Sequence, residues 1–197
     1  IAGILKTDSA AYASMLEQAT TNFERFWNPE AGYCFDVIDM PSGDDPALRP
    51  NQLIALALPD CPLAKSRQKE ILQHCTHQLY TIAGLRTLSP DDKSYIGHYG
   101  GDRVQRDSAY HQGTVWTWLI GTYVSAILNI YEDPAVASSY LEPMLPGLLR
   151  ARCAGTVSEI FEGNPPFQPR GAFAQAWSVA QLLSTWQQIQ QNAILKA

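Results

Sequence analysis

Apolar side chains recur at helical spacing along most of this sequence, and long irregular loops separate the periodic segments. Alternating patterns typical of strands are almost absent. Only "GYCFDVI" at 32–38 alternates weakly, as a short strand or an extended arm would. We therefore predict an all-α fold built from antiparallel helix pairs. The predicted helices cover 8–27, 51–59, 62–82, 111–131, 134–152 and 172–191.

Local residues predict where several of these helices begin, end or break. Asp8 or Ser9 would cap the first helix, because their side chains can accept hydrogen bonds from free backbone N–H groups. The Asn28-Pro29 pair would end that helix. The helix over 134–152 should be interrupted near Pro143 and Pro146, since proline removes a backbone donor.

The apolar positions also predict which helix faces are buried. The 111–131 helix is apolar almost all round, which indicates burial on several sides. The 62–82 helix is expected to bury one face that extends to Ile82. The last helix is expected to bury a band formed by Phe173, Trp177, Ala180, Leu183 and Ile189.

Length and charge limit the classes of protein that the sequence can encode. The 197 residues are enough for one domain with a real core, and we treat 1–197 as a single domain. The net charge of -5 disfavours nucleic acid and anionic membrane surfaces, because both require a basic patch. Apolar runs do not reach the length of a membrane-spanning helix.

The cysteines indicate the compartment. Cys34, Cys61, Cys75 and Cys153 form no CxxC pair, and their spacing fits no zinc pattern. A chain of this length does not need disulfides to fold, so buried free thiols are the favoured interpretation. That interpretation predicts a cytoplasmic protein, because the cytoplasm keeps thiols reduced.

Polar and aromatic side chains are concentrated in two long loops, 84–110 and 154–171. Long loops within compact domains are usually functional. Each loop precedes a predicted helix, so in an array of helix pairs the two could meet at one rim. Their content of carboxylates, aromatic rings and fork-like donors suits a sugar site, where hydroxyl groups need hydrogen bonds and the ring's C–H face lies on an aromatic side chain.

The stretch "YHQGTVWTW" at 110–118 joins the first loop to an apolar run. Its polar start and aromatic end fit the wall of a wet, aromatic-floored cleft. Trp116 and Trp118 are two residues apart, so on a helix they would point to different sides. We expect one of them to face the cleft and the other to pack in the core.

Glu159 lies in "GTVSEIF", between apolar neighbours. A partly desolvated carboxyl group has a raised proton affinity or needs a partner. Two interpretations remain open from the residues alone: Glu159 is a catalytic carboxylate, or it has only a structural role as a capping residue or as an ion-pair partner of Arg170. Glu162 precedes a glycine and is expected to be solvated.

Other chemistry finds little support in the sequence. His74 and His77 are interpreted as a surface pair, and His98 and His111 have no evident third ligand, so no metal site is expected. The GxSxG nucleophile motif is missing. The Gly100-Gly101 pair lacks the rest of any phosphate-binding motif and is interpreted as a turn.

Five segments in a fixed order resemble a known family. They are "RPNQLIALALP", "GLRTLSPDD", "YIGHYGGDRVQRDSAYHQGTVWTWLIG", "GTVSEIFEG" and "AQAWSVAQLL". This series is similar to the C-terminal glucosidase domain of glycogen debranching enzymes, the amylo-α-1,6-glucosidases, from about Phe26 to Leu183. The resemblance implies an (α/α)6 toroid with its active site at one end. It also implies hydrolysis of α-1,6-linked glucose at branch points with inversion and without a cofactor.

The resemblance implies roles for individual residues. Glu159 matches the general base, which would deprotonate the attacking water. Arg86, Asn51 and Gln52 match family motifs as rim or supporting groups. The residues that would contact the glucan are Tyr110, His111 and Gln112 in the pocket, Trp116 and Trp177 as platforms, Gln175 as a hydroxyl contact, and Arg86 at the rim.

One family motif has no match. The family's general acid is an Asp in a "TWMD"-like segment, and residues 1–197 contain no such segment. We therefore expect about half a toroid, the C-terminal half. Its apolar faces should be covered by homodimerisation or by pairing with the missing half. Three alternatives follow: part of a debranching glucosidase, a catalytically incomplete module that binds α-glucan or pairs with a subunit, and a helical scaffold without a sugar role.

Overall fold

The computed structural model describes residues 10–150 and 155–196, and within them the fold is mostly helical. Asp8, Ser9 and Cys153, for which the sequence made predictions, lie outside the described residues. The helices are α1 (Ala10–Phe23), α2 (Asn51–Ala57), α3 (Lys65–Gln78), α4 (Arg103–Ala109), α5 (Leu119–Tyr131), α6 (Pro134–Leu141), α7 (Leu145–Arg150) and α8 (Ala176–Lys196).

Helix α5 lies at the centre of the helical packing. It contacts α2 on one side and α8 on another, and it also packs on α3 and α6. The predicted burial on several sides is therefore confirmed, and Ile120, Tyr123 and Val124 have no solvent exposure. The Tyr123 hydroxyl shares a 2.7 Å hydrogen bond with Thr76 Oγ1 of α3, so this buried polar atom is satisfied.

Short strands join the loops, which the all-α prediction did not include. The strands are β1 (Trp27–Asn28), β2 (Tyr33–Cys34), β3 (Tyr80–Thr81), β4 (Gly84–Arg86), β5 (Val115–Trp116), β6 (Ile160–Phe161) and β7 (Pro169–Arg170). β1 pairs with β2, and β3-β4-β5-β6-β7 form an antiparallel sheet in chain order. β2 lies within 32–38, the stretch interpreted from the sequence as a short strand or an extended arm. The other strands, of two or three residues, are too short to produce an alternating pattern.

Two helices are shorter than predicted because strands replace their ends. α5 begins at Leu119 rather than near His111, and Val115–Trp116 before it is a strand. α3 ends at Gln78, and Ile82 lies between β3 and β4, where 58% of the residue is exposed. The predicted burial of Ile82 was therefore wrong.

The buried stripe of α8 also differs from the prediction. Its buried residues are Ser178, Leu182, Thr185 and Ile189. Phe173 lies before the helix, and Phe173 and Leu183 are both exposed. The apolar residues of α8 thus fall on more than one face, and its buried face alternates small polar and aliphatic residues.

The helix α4 was missed within the loop that showed no periodicity. Its N-cap is a capping box, in which the Asp102 side chain accepts from the Gln105 backbone N–H and the Gln105 side chain accepts from the Asp102 N–H. Ala109 is the buried residue of this helix. A helix that buries so little has no apolar stripe for a periodicity argument to detect.

The first and last helices differ from the prediction at their ends: α1 stops before the predicted end at 27, and α8 covers Ala176–Lys196 rather than 172–191. α1 ends at Phe23, and a 3-10 turn over Glu24–Phe26 leads into β1. The break predicted near the prolines is a 3-10 turn at Glu142–Met144 between α6 and α7. Among the described residues, no helix has both the length and the apolar character needed to cross a membrane.

A close backbone approach at Gly84 gives a prediction about stability. Gly84 has φ +140°, and a Cβ there would lie 2.7 Å from Thr117 Cα, beside β5. We predict that Gly84→Ala lowers the free energy of unfolding by about 2–3 kcal/mol, through steric overlap and backbone strain. Thermal or urea unfolding followed by circular dichroism measures this change.

Gly147 in α7 provides the matched control. A Cβ there would meet nothing within 4 Å among the described residues. Gly147→Ala should be neutral or stabilising by up to about 1 kcal/mol, because alanine favours the helix. Equal destabilisation by both substitutions would show that the approach of β4 to β5 is not constrained as described.

Candidate active site

The pairing of β5 with β6 brings the two polar loops together. Val115 is the register partner of Phe161. This pairing places the turn at 110–114, which precedes β5, beside Glu159, which directly precedes β6. The two loops predicted to share a rim therefore do meet.

Hydrogen-bond donors hold both carboxylate oxygens of Glu159. Oε1 accepts from the Tyr110 hydroxyl, and Oε2 accepts from the Ala172 backbone N–H at 2.8 Å. The Glu159 N–H donates to the Ala172 carbonyl at 2.9 Å. Gly171, at φ +65°, makes room for this side chain, since a Cβ there would lie 3.0 Å from Glu159 Cβ. The carboxylate is oriented, and each oxygen can still accept another hydrogen bond.

Arg170 pairs with Glu162 and not with Glu159. Its Nε and Nη2 lie 2.9 and 2.7 Å from Glu162 Oε1. His98 Nδ1 lies 2.9 Å from the same oxygen. The Glu162 side chain is only 14% exposed, so the prediction that it is solvated was wrong. The interpretation of Glu159 as an ion-pair partner of Arg170 was also wrong.

Trp116 forms an aromatic floor beneath the turn. The His111 ring stacks on it at 5.5 Å with an interplanar angle of 10°, and the Tyr110 ring meets it edge-on at 5.0 Å. Trp116 Nε1 donates to Thr114 Oγ1 at 3.2 Å. Only 4% of Trp116 is exposed. It therefore supports Tyr110 and His111 and does not offer a face to solvent, which corrects its expected position as a platform.

Trp177, in the first turn of α8, adds an exposed ring to this aromatic group. Its centroid lies 6.0 Å from that of Trp116 and 5.9 Å from that of Trp118, and 51% of the residue is exposed. Gln175 lies just before α8 and is half-buried, and its backbone N–H donates to the Val157 carbonyl at 2.8 Å. The start of α8 thus presents an accessible aromatic face beside the turn.

Burial and neighbouring charges shift the pKa of two residues in the turn. The pKa of Tyr110 is raised, first by burial and then by its hydrogen bond to Glu159 and the charge of that carboxylate. The pKa of His111 is lowered, first by burial and then by the positive charge of Arg49. At neutral pH the Tyr110 and His111 side chains are therefore uncharged, and Tyr110 keeps the proton that it donates to Glu159.

Arg49 is a residue of the site that the sequence did not reveal. Its Nη1 donates to the carbonyls of Thr87 at 3.0 Å and His111 at 2.7 Å. Its Nη2 donates to Gln112 Oε1 at 2.5 Å, and Asp36 Oδ2 lies 3.5 Å from its Nε. Its position in "RPNQ" was visible, but its partners are far away in sequence and only the tertiary structure identifies them.

Arg86 and the Asn51-Gln52 pair hold parts of the backbone in place. Arg86 donates to the carbonyls of Gly163 at 2.8 Å and Gln78 at 2.9 Å. Asn51 donates to Asp36 Oδ1 at 2.7 Å, and Gln52 accepts from the Cys34 N–H at 3.0 Å. These contacts indicate supporting roles, and they place Arg86 between α3 and the loop after β6.

In residues 10–150 and 155–196, no group of three or more His, Cys, Asp or Glu side chains could hold an ion. Cys34, Cys61 and Cys75 are free thiols, and burial raises the pKa of Cys34 to about 11.

Comparisons with known proteins agree with this architecture. The chain matches a GH63 mannosylglycerate hydrolase from Thermus thermophilus with a TM-score of 0.70 and 18% identity, over 94% of this chain and 41% of that one. It matches the neutral trehalase of Saccharomyces cerevisiae with a TM-score of 0.67 and 15% identity, over 92% of this chain and 31% of that one. The chain thus spans less than half the length of either structure.

Sequence comparison places the chain more narrowly. It is 30% identical over 94 residues to the glycogen debranching enzyme of Saccharomyces cerevisiae. This aligned stretch covers 45% of this chain and 6% of that enzyme. Together with a family-model match, this similarity identifies a helical protein related to glycoside hydrolases. The family model described as amylo-alpha-1,6-glucosidase matches residues 2–184, and the chain belongs to that family.

The contact between Tyr110 and Glu159 gives a prediction about titration. Because the charge of Glu159 raises the pKa of Tyr110, Glu159→Gln should lower that pKa toward its ordinary value of about 10. Burial persists in the variant, so the return should be partial. NMR titration of labelled tyrosines measures the change, with Tyr110→Phe to assign the signal.

Glu30→Gln is the control for this titration, because Glu30 is exposed and carries the same charge. It should leave the pKa of Tyr110 unchanged. The same pKa in wild type and in Glu159→Gln would contradict the described contact.

Proposed function

We propose that this chain carries the general-base half of an inverting glucosidase that removes α-1,6-linked glucose at the branch points of glycogen or a related α-glucan. The observation that carries the proposal is the Glu159 carboxylate, which Tyr110 and Ala172 hold beside an aromatic wall. Membership of the amylo-alpha-1,6-glucosidase family supports the choice of bond and sugar.

In this proposal Glu159 removes a proton from a water molecule as the water oxygen attacks the anomeric carbon of the terminal glucose. The glycosidic bond from that carbon breaks, and the leaving oxygen takes a proton from a general acid on the other side of the ring. Glucose leaves with inverted configuration. Inverting carboxyl pairs lie about 6.5–9.5 Å apart, which leaves space for the water.

The general acid would come from a segment outside residues 1–197, since no "TWMD"-like sequence occurs in them. In this proposal the chain forms about half of an (α/α)6 toroid. The general acid and the remaining helices of the toroid would then both belong to that outside segment. No cofactor is required by this mechanism.

The wall would bind the glucose through hydrogen bonds and ring stacking. Tyr110, His111, Gln112 and Gln175 would contact its hydroxyl groups, and Trp177 would lie against its C–H face. Trp116 would act below them as a fixed floor, and Arg86 would hold the neighbouring loop. These roles combine the family resemblance with the positions of the side chains in the structure.

Exposed apolar side chains support a partner for the helices at each end of the described chain. Tyr12, Met15 and Leu16 of α1 are exposed, as are Leu183, Trp186 and Leu195 of α8. Large exposed apolar patches on soluble proteins usually mark an interaction surface. We propose that the other half of the toroid, or a second copy of this chain, covers these faces.

The cellular setting is proposed on chemical grounds. The described cysteines are free, which agrees with a reducing cytoplasm. The net charge of -5 argues against nucleic acid and anionic membranes as partners. The partner in this proposal is a neutral α-glucan.

Glucose release from a branched dextrin tests the proposed function. The chain is assayed alone and after mixing with the N-terminal half of a related debranching-enzyme glucosidase domain. We expect release with a β-anomeric product in the mixture, and little release by the chain alone. Dextrin binding without glucose release in both samples would favour the glucan-binding alternative, and neither binding nor release would contradict the proposal.

Glu159→Gln should abolish the base while it keeps the shape of the site. We predict that the mixture containing this variant releases glucose about 10²–10⁴-fold more slowly, the usual contribution of general acid-base catalysis. Maltose affinity should stay close to that of wild type. Normal turnover with the variant would show that Glu159 is not the base, and a matched exposed variant, Glu30→Gln, should not alter turnover.

Trp177→Ala tests the exposed platform. We predict that maltose binding weakens by about 1–3 kcal/mol, from the loss of one stacked aromatic side chain. Trp186→Ala is the matched control, because Trp186 is similarly exposed at 53% and lies on the opposite face of α8 from Trp177. Calorimetric titration of both variants compares them, and equal affinities would exclude Trp177 as a platform.

A further inference from the structure

The Arg49 guanidinium joins three distant parts of the chain behind the proposed glucose wall. Its contacts are the Thr87 and His111 carbonyls, the Gln112 side chain and the Asp36 carboxylate. The Arg49 side chain is only 19% exposed. Moving a largely buried arginine away from this many acceptors would leave its charge and donors unpaired, at a large cost in free energy. Arg49 therefore restrains the groups that it contacts.

The contact with Gln112 determines which way the Gln112 amide faces. A guanidinium has donors and no acceptor, so the amide must turn its oxygen to Arg49. The Nη2–Oε1 distance is 2.5 Å. Within the part of the chain that the structure describes, the Gln112 Nε2 group makes no hydrogen bond, although its residue is half-buried. Two N–H donors are therefore left for another molecule.

We propose that Arg49 determines which hydrogen-bonding groups the site offers to a sugar. It holds the Gln112 amide so that the NH2 group is free to donate to the ligand. The inference rests on the proposed sugar site and specifies its chemistry. Glu159 accepts hydrogen bonds and Gln112 donates them. A hydroxyl group, which can donate to one and accept from the other, matches both.

Asp36 and Asn51 make this arrangement stable. The Asp36 side chain is 11% exposed and lies 3.5 Å from Arg49 Nε, so it compensates the charge of the guanidinium. Asn51 donates to the other Asp36 oxygen at 2.7 Å and fixes the carboxylate in turn. Arg49 is thus a positioning residue that acts on the ligand through Gln112.

Gln112→Glu provides the sharpest test, because it keeps the size of the side chain and its acceptor for Arg49 but removes the NH2 donors. We expect a melting temperature equal to or above that of wild type, since the contact with Arg49 becomes an ion pair. We expect maltose affinity to fall about tenfold or more, since a hydroxyl acceptor loses its donor. Wild-type affinity in this variant would overturn the donor role.

Gln187→Glu is the control for charge, because it makes the same substitution on the exposed face of α8. It should change neither the melting temperature nor the maltose affinity. A similar loss of affinity in both variants would show a general effect of added negative charge and would overturn the proposal.

Arg49→Lys tests the positioning step without any sugar. Lysine keeps the charge but cannot reach all the acceptors at once. The side-chain NH2 signals of Gln112 are assigned in an amide NMR spectrum as those that disappear in Gln112→Glu. In the wild type, their chemical shifts should differ from random-coil values. In Arg49→Lys they should move to random-coil positions, while Arg25→Gln, an exposed control, leaves them in place.

These measurements separate failure of the inference from failure of the proposed function. If wild type binds no maltose but its Gln112 amide signals depend on Arg49, the sugar site fails and the positioning role holds. If wild type binds maltose and the amide signals ignore Arg49→Lys, the inference is overturned and the sugar site holds.

Discussion

The whole candidate site depends on the pairing of β5 with β6. Without the register of Val115 opposite Phe161, Tyr110 and Glu159 would have no reason to meet, because they lie in loops separated by helices α5, α6 and α7. Strands this short are not stable alone. They hold here because Leu85, Val115 and Ile160 are fully buried, so the hydrophobic core of the helices also fixes the strands.

Charged groups around the site differ in the kind of partner they have. Arg49 with Asp36, and Arg170 with Glu162, are ion pairs that stiffen the two loops. Glu159 is different, because its partners are the Tyr110 hydroxyl and the Ala172 N–H, which are neutral donors. Neutral donors orient a carboxylate without neutralising it with a cation. In the proposed function, that arrangement leaves Glu159 with the negative charge that a general base requires.

The sequence predicted long periodic elements and failed where the determinant was non-local. α2, α5 and the break between α6 and α7 were foreseen because apolar spacing and proline act over a few residues. α4 was not, since Ala109 is its buried residue. Glu159 was selected by its apolar setting and by family resemblance. The partners of Arg49, Glu162 and Arg170 depend on which loops meet, and no pattern in the chain encodes that directly.

The stretch from Tyr110 to Trp118 now has a physical explanation. Its polar start is a turn between two loops, where Tyr110 contacts Glu159 while Arg49 holds the His111 carbonyl and the Gln112 side chain. Its apolar end enters β5 and then α5, so Trp116 is buried where the sheet passes into the central helix. Trp116 packs directly under polar side chains and limits their motion, and the proposed reaction would need such limited motion to orient a water molecule and a sugar ring.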